Sequence, residues 1–110
     1  MGAHISLGPG GRTATLTVDT DLDDRSRPAV ESAVAGLPVS VRWLTLDLTG
    51  VAFADSSLLY IVHVADRSVA RNGGLLKVSG LGPQPRRLLV HAAELWPEGG
   101  WQTYLAPPLT

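Results

Sequence analysis

The chain has 110 residues and 11.6 kDa, room for one domain with a proper core but not for two. Ten acidic and nine basic residues leave a formal charge of −1, so the basic field on which direct nucleic-acid binding relies is missing. Cysteine is absent, which excludes disulfides, thiolate nucleophiles and zinc ribbons. The composition, 45% hydrophobic and 17% charged, is that of a globular chain rather than a disordered one. No apolar run approaches the roughly 20 residues that would span a bilayer, and no basic segment followed by an apolar stretch opens the chain. The expectation is a cytoplasmic domain without membrane insertion, one unit over 1–110 with an ordered core of about 3–105. Charge is unevenly spread: residues 1–55 carry seven acids against four bases, crowded into Asp19, Asp21, Asp23 and Asp24.

His4–Leu7 and the alternating Arg12–Val18 flank the turn signal Gly8-Pro9-Gly10-Gly11, and predict a hairpin at one sheet edge. Ser26 and Pro28 read as a cap and an early helical position for a first helix over about 26–35, stopped by Gly36 and Pro38. Val41 to Leu48, with Val41, Trp43, Leu44, Leu46 and Leu48 apolar, predicts a buried central strand. Asp55-Ser56-Ser57 then opens a helix running to about Asn72. At 100° per residue, Leu58, Ile61, Val62, Ala65 and Val69 fall on one face, and Ser56, Tyr60, His63, Arg67 and Arg71 on the other. Gly73 and Gly74 end it. Leu75, Leu76 and Val78 suggest a further strand, Pro83 and Pro85 open a third helix carrying Leu88, Leu89, Ala92 and Leu95, and Trp101–Leu105 reads as a last strand before Pro107 and Pro108. The predicted order is ββαβαβαβ: an α/β domain with a mixed sheet of about five strands and helices packed on it.

Enzyme chemistry has little to stand on. His4, His63 and His91 lack ligand spacing, so no metal is expected. The glycine-rich segments lack a phosphate loop's ending, and neither Ser56 nor Ser57 sits in a nucleophile elbow, so no cofactor or catalysis is expected. Asp55-Ser56-Ser57 stands out instead. Asp and Ser are favoured helix caps, which is one account of the three. The other is a serine offered to a kinase, since a phosphate there would add about −1.5 to −2 charges beside Asp55.

The run Leu44-Thr-Leu-Asp-Leu-Thr-Gly-Val-Ala-Phe-Ala-Asp-Ser-Ser-Leu-Leu resembles the hallmark of STAS domains, the fold of bacterial anti-sigma factor antagonists. Thr20-Asp21-Leu22-Asp23 with Pro28, Arg71-Asn72-Gly73-Gly74 and Leu81-Gly82-Pro83-Gln84-Pro85-Arg86-Arg87-Leu88-Leu89 are similar to three further landmarks of that family, in order along nearly the whole chain. The resemblance implies a partner-switching protein of transcription regulation. It would bind an anti-sigma factor serine kinase, be phosphorylated on the first serine after the aspartate, which is Ser56, and be restored by a serine phosphatase. Asp23 and Asp55 match acidic positions near that serine. Ser57, Tyr60, His63 and Arg67 complete the expected partner surface, with Tyr60 and Arg67 as anchors. Leu58 stands where the family has glycine, as does Thr20. Two other roles of STAS domains stay open: an unphosphorylated accessory subunit of a membrane-transport or lipid-transport complex, and a small-molecule sensor.

Overall fold

The computed structural model describes residues 2–105. Strand β1 (Ala3–Leu7) pairs antiparallel with β2 (Thr13–Val18), Ile5 opposite Leu16. The turn between them is a single 3-10 turn over Pro9–Gly11, in which Gly10 and Gly11 both take left-handed backbone (φ 79° and 69°), a pair of conformations that L side chains resist. β3 (Trp43–Asp47) runs parallel to β2, and β4 (Leu75–Ser79) parallel to β3, so the order is β1-β2-β3-β4. Helix α1 (Arg27–Ala35) links β2 to β3, and α2 (Ser57–Ala70) links β3 to β4.

That order decides which face is covered. Right-handed crossovers stepping the same way along the sheet put both helices on one side. The inward residues of β2 and β3 (Ala14, Leu16, Val18, Leu44 and Leu46) are accordingly buried and pack with Leu58, Ile61, Val62 and Leu89. Their neighbours point the other way, with Thr13, Trp43 and Leu75 aligned in register on the uncovered face. Trp43 is therefore 53% exposed, against the expectation of a strand buried on both sides. Val41 and Leu48, just outside the regular strand, are buried as expected.

α2 follows its predicted wheel: all five apolar-face residues are buried, Leu58 completely, and all five on the opposite face are exposed. It ends in a left-handed Gly73 (φ 75°), with the Gly74 N–H donating to the Val69 carbonyl at 2.8 Å. α3 (Pro83–Leu95) buries Leu89, Ala92 and Ala93, but Leu95, its last residue, lies beyond the core and is 68% exposed.

The expected fifth strand is absent among the described residues. Trp101–Tyr104 forms a 3-10 turn after another at Pro97–Gly99, the chain reversing at Gly100 (φ 77°). The spacing explains the difference. A strand would send Trp101 and Tyr104, three apart, to opposite faces, whereas a 3-10 turn puts both on one side. Here the two rings lie 6.2 Å apart and are part-buried. Pro107 and Pro108 fall outside the described residues.

Candidate functional site

Two loops at the C-terminal end of the parallel strands build the site. The β2–α1 loop contributes the buried Leu22, and the β3–α2 loop contributes Ala54, equally buried; the two form a short parallel bridge. The Leu22 N–H donates to the Phe53 carbonyl, and the Asp55 N–H to the Leu22 carbonyl, each at 3.0 Å. The Phe53 N–H adds a bond to Asp21 Oδ1 at 3.2 Å. On the other edge of the same segment, the side-chain amide of Gln84 accepts from the Ala54 N–H and donates to the Ala54 carbonyl, both at 2.8 Å. The residues just before Ser56 are thus paired on both sides.

Helix α2 is capped by Asp55, whose Oδ1 accepts the Ser57 N–H at 2.7 Å while its carbonyl accepts the Leu58 N–H at 3.0 Å. Ser56 already has helical backbone (φ −59°, ψ −13°), and its hydroxyl makes no capping bond. That hydroxyl is exposed, whereas Ser57 is 5% exposed and turned inward. Asp23 sits in the adjacent loop and organises it: Oδ1 accepts the Arg25 and Ser26 amides at 2.9 and 3.1 Å. The Ser26 bond, helped by Arg25, holds the Asp23 carboxyl below its ordinary value of 3.8, so the loop carries a firm negative charge. Ser26, expected as the cap of α1, instead donates its hydroxyl to the Asp21 carbonyl at 2.7 Å and tightens the loop.

Along α2 the exposed stripe continues through Tyr60, His63 and Arg67. Tyr60 is engaged with α1: its hydroxyl donates to Glu31 Oε2 at 2.7 Å, and the Arg27 guanidinium lies 4.8 Å from the ring centroid. Arg67 lines a groove of about 250 Å3 between α1 and α2, floored by Val34 and Val64 and flanked by Glu31 and Arg71. Six of the seven expected residues therefore lie on one surface, with Asp23, Asp55 and Ser56 at one end and the stripe on α2 leading away. Ser57, expected in that surface, is instead buried beneath it, its side chain turned to the core side of α2 and its N–H bonded by Asp55. Leu22, Gln84, Arg27 and Glu31 were not singled out for the site from the sequence. Only the quoted segments around Leu22 and Gln84 touched them, and each works through a neighbour about thirty residues away. Among the described residues no three His, Cys, Asp or Glu side chains are grouped to hold a metal, and no helix is long and apolar enough to cross a membrane.

Comparison with known proteins gives the chain a family. The family described as "Mlab, STAS domain" matches residues 5–93. An anti-sigma factor antagonist from Mycobacterium paratuberculosis shares the fold with a TM-score of 0.72 at 24% identity, over 97% of this chain and 85% of that one. The anti-sigma factor antagonist SpoIIAA in its unphosphorylated form matches with a TM-score of 0.63 at 15% identity, over 78% and 79% of the two chains. The murine anion transporter Slc26a9, in its inward-facing state, matches with a TM-score of 0.68 at 16% identity, over 84% of this chain but 16% of the transporter. No curated protein sequence matches significantly. With its four-stranded mixed sheet, its helices on one face and a family match running from β1 into α3, the chain belongs to the STAS domain family.

Proposed function

We propose that this protein is an anti-sigma factor antagonist, a cytoplasmic partner-switching domain without catalysis of its own. It docks on an anti-sigma factor serine kinase through the surface around the start of α2 and is released by phosphorylation of Ser56, which a serine phosphatase reverses. The observation that carries this reading is the Ser56 hydroxyl: exposed, free of the capping role that Asp55 fills, and set on a loop paired on both sides. A kinase reaches such a hydroxyl without unfolding anything. Phosphate at that point brings about −1.5 to −2 charges next to Asp55 and Asp23. Burying that charge against a surface adapted to a neutral serine costs about 3 kcal/mol or more, a hundredfold or greater loss of affinity. The fold likeness to anti-sigma factor antagonists agrees with the role.

The test is phosphosite mapping after incubation with the kinase-type partner and ATP. Wild type and Ser57→Ala are modified at residue 56, Ser56→Ala binds and stays unmodified, and Ser56→Asp folds and binds at least tenfold more weakly. A partner that binds tightly in the presence of ATP and leaves Ser56 untouched would overturn the switch. A second reading then takes its place, an unphosphorylated accessory subunit of a transport complex docking through the same surface. The fold likeness to a part of an anion transporter favours it specifically.

A further inference from the structure

Ala54 is 1% exposed, and its backbone N–H and C=O both point toward α3 rather than toward a strand. In a sheet, a neighbouring strand would supply one acceptor and one donor at that edge. Here a single side chain supplies both. Gln84 Oε1 takes the N–H and Nε2 gives to the carbonyl, at 2.8 Å each, across thirty residues of sequence. A primary amide presents donor and acceptor side by side as a peptide does, so among the long side chains glutamine suits the position. Its own base is stiff. Pro83 and Pro85 bracket it in the first turn of α3, Pro85 is buried, and the Arg86 N–H closes the turn on the Gly82 carbonyl at 3.0 Å. Two residues beyond Ala54 comes Ser56.

We propose that Gln84 is the positioning residue of the switch: it completes the pairing of Phe53–Asp55 against Leu22 and thereby fixes where Ser56 is offered. α3 becomes part of the recognition apparatus although it bears no residue of the docking surface. This rests on the reading of Ser56 as the modified serine. Without Gln84 the two buried groups of Ala54 have no protein partner, and water can reach them only if the loop opens.

The experiment follows amide hydrogen exchange by NMR and the rate of Ser56 phosphorylation in wild type, Gln84→Ala and Gln84→Glu. In Gln84→Ala, exchange at Ala54 and Asp55 rises at least tenfold while the amides of β2 and β3 keep their protection, and kcat/KM for phosphorylation falls about tenfold. Gln84→Glu separates positioning from packing. As a carboxylate the new side chain accepts from the Ala54 N–H but cannot donate to its carbonyl; as a neutral acid it does both. Local protection, referenced to wild type at each pH because Asp21 and Asp55 bond the same segment, is therefore poor at pH 8 and recovers in acid. Unchanged exchange at Ala54 in both variants, a loss spread evenly over the domain, or a pH-independent loss in Gln84→Glu would overturn the role. Should Gln84→Ala not fold, the pH series on Gln84→Glu decides alone. A wild type that is never phosphorylated overturns the switch, and the exchange measurements still judge Gln84.

Discussion

The Tyr60 hydroxyl bonds Glu31 and its ring meets the Arg27 guanidinium, so this exposed residue of the docking stripe also fastens α2 to α1. Arg67 lines the groove without such a tie. The two expected anchors should accordingly separate on substitution. Tyr60→Ala lowers the melting temperature through the lost bond and cation–π contact, while Arg67→Ala leaves it within error; thermal unfolding of both variants checks this. The tyrosines also make a titration test. Glu31 raises the pKa of Tyr60 above its ordinary 10.0, and burial, reinforced by Asp66, pushes Tyr104 to about 12. Because the folded values exceed the unfolded one, the stabilisation is complete below pH 10 and is lost as pH rises toward 12. Absorbance at 295 nm should show little tyrosinate in the native protein at pH 10, and Tyr104→Phe should remove the latest step.

The start of α2 divides its labour between neighbouring residues. Asp55 supplies the cap and Ser56 does not, since Ser56 has already entered helical backbone. Asp55→Ala should cost about 1 kcal/mol of stability, Asp55→Asn much less because its side-chain oxygen still accepts the Ser57 N–H, and Ser56→Ala almost nothing; chemical denaturation of the three variants orders them. A neutral Ser56→Ala is what leaves the serine available for a task other than capping. Leu58, where the family resemblance has glycine, enters the core completely and leaves α2 regular from Ser57 to Ala70. Its bulk lies on the face opposite Ser56, which accounts for an undisturbed exposed hydroxyl above it. The β4–α3 connection has the reverse demand: at Gly80 (φ 74°) a Cβ would sit 2.7 Å from the Thr49 nitrogen, so these two loops approach as closely as they do only because no side chain intervenes.

Across the whole molecule, the loops at the C-terminal ends of the parallel strands gather the acids that the sequence places in its first half: Asp21 and Asp23 in one loop, Asp55 in the next, with Asp47 at the end of β3. All four accept backbone N–H bonds, and in two of them these ties hold the carboxyl below its ordinary range. Asp47 Oδ1 accepts the Thr49 hydroxyl at 2.7 Å and the Thr49 N–H at 3.0 Å, and the hydroxyl bond first, the N–H second, keeps its carboxyl below 3.8. Asp23 is lowered by the Ser26 and Arg25 bonds described above. For groups with folded values below the unfolded one, stability is fully present above about pH 4 and is lost as pH falls through the folded values. The urea midpoint should hardly move between pH 7 and 5 and should drop below pH 4, with Asp47→Asn showing a shallower fall. The two loops loosened by that protonation are the ones that frame Ser56, so acid should weaken the site before it dissolves the sheet.

Much of this was legible in the linear chain because it depends on local periodicity. The buried stripe from Leu58 to Val69, the alternation of Thr13–Val18 and the glycine turn between β1 and β2 each follow from residues within a few positions of one another. The placement of Ser56 at the entrance of α2 follows from the same local reading, with Asp55 as its neighbour. What tertiary structure alone decided involves partners that the chain separates. An apolar pattern cannot say whether helices will cover one face of the sheet or both, and that choice, made by the strand order, exposes Trp43. Nor does any local pattern announce that Leu22 pairs with Ala54 or that Gln84 completes the other edge, since each pairing answers an unmet backbone hydrogen bond about thirty residues away. Trp101–Leu105 has strand composition, but its two rings find cover on one side only, and burial of both overrides the propensity of the segment.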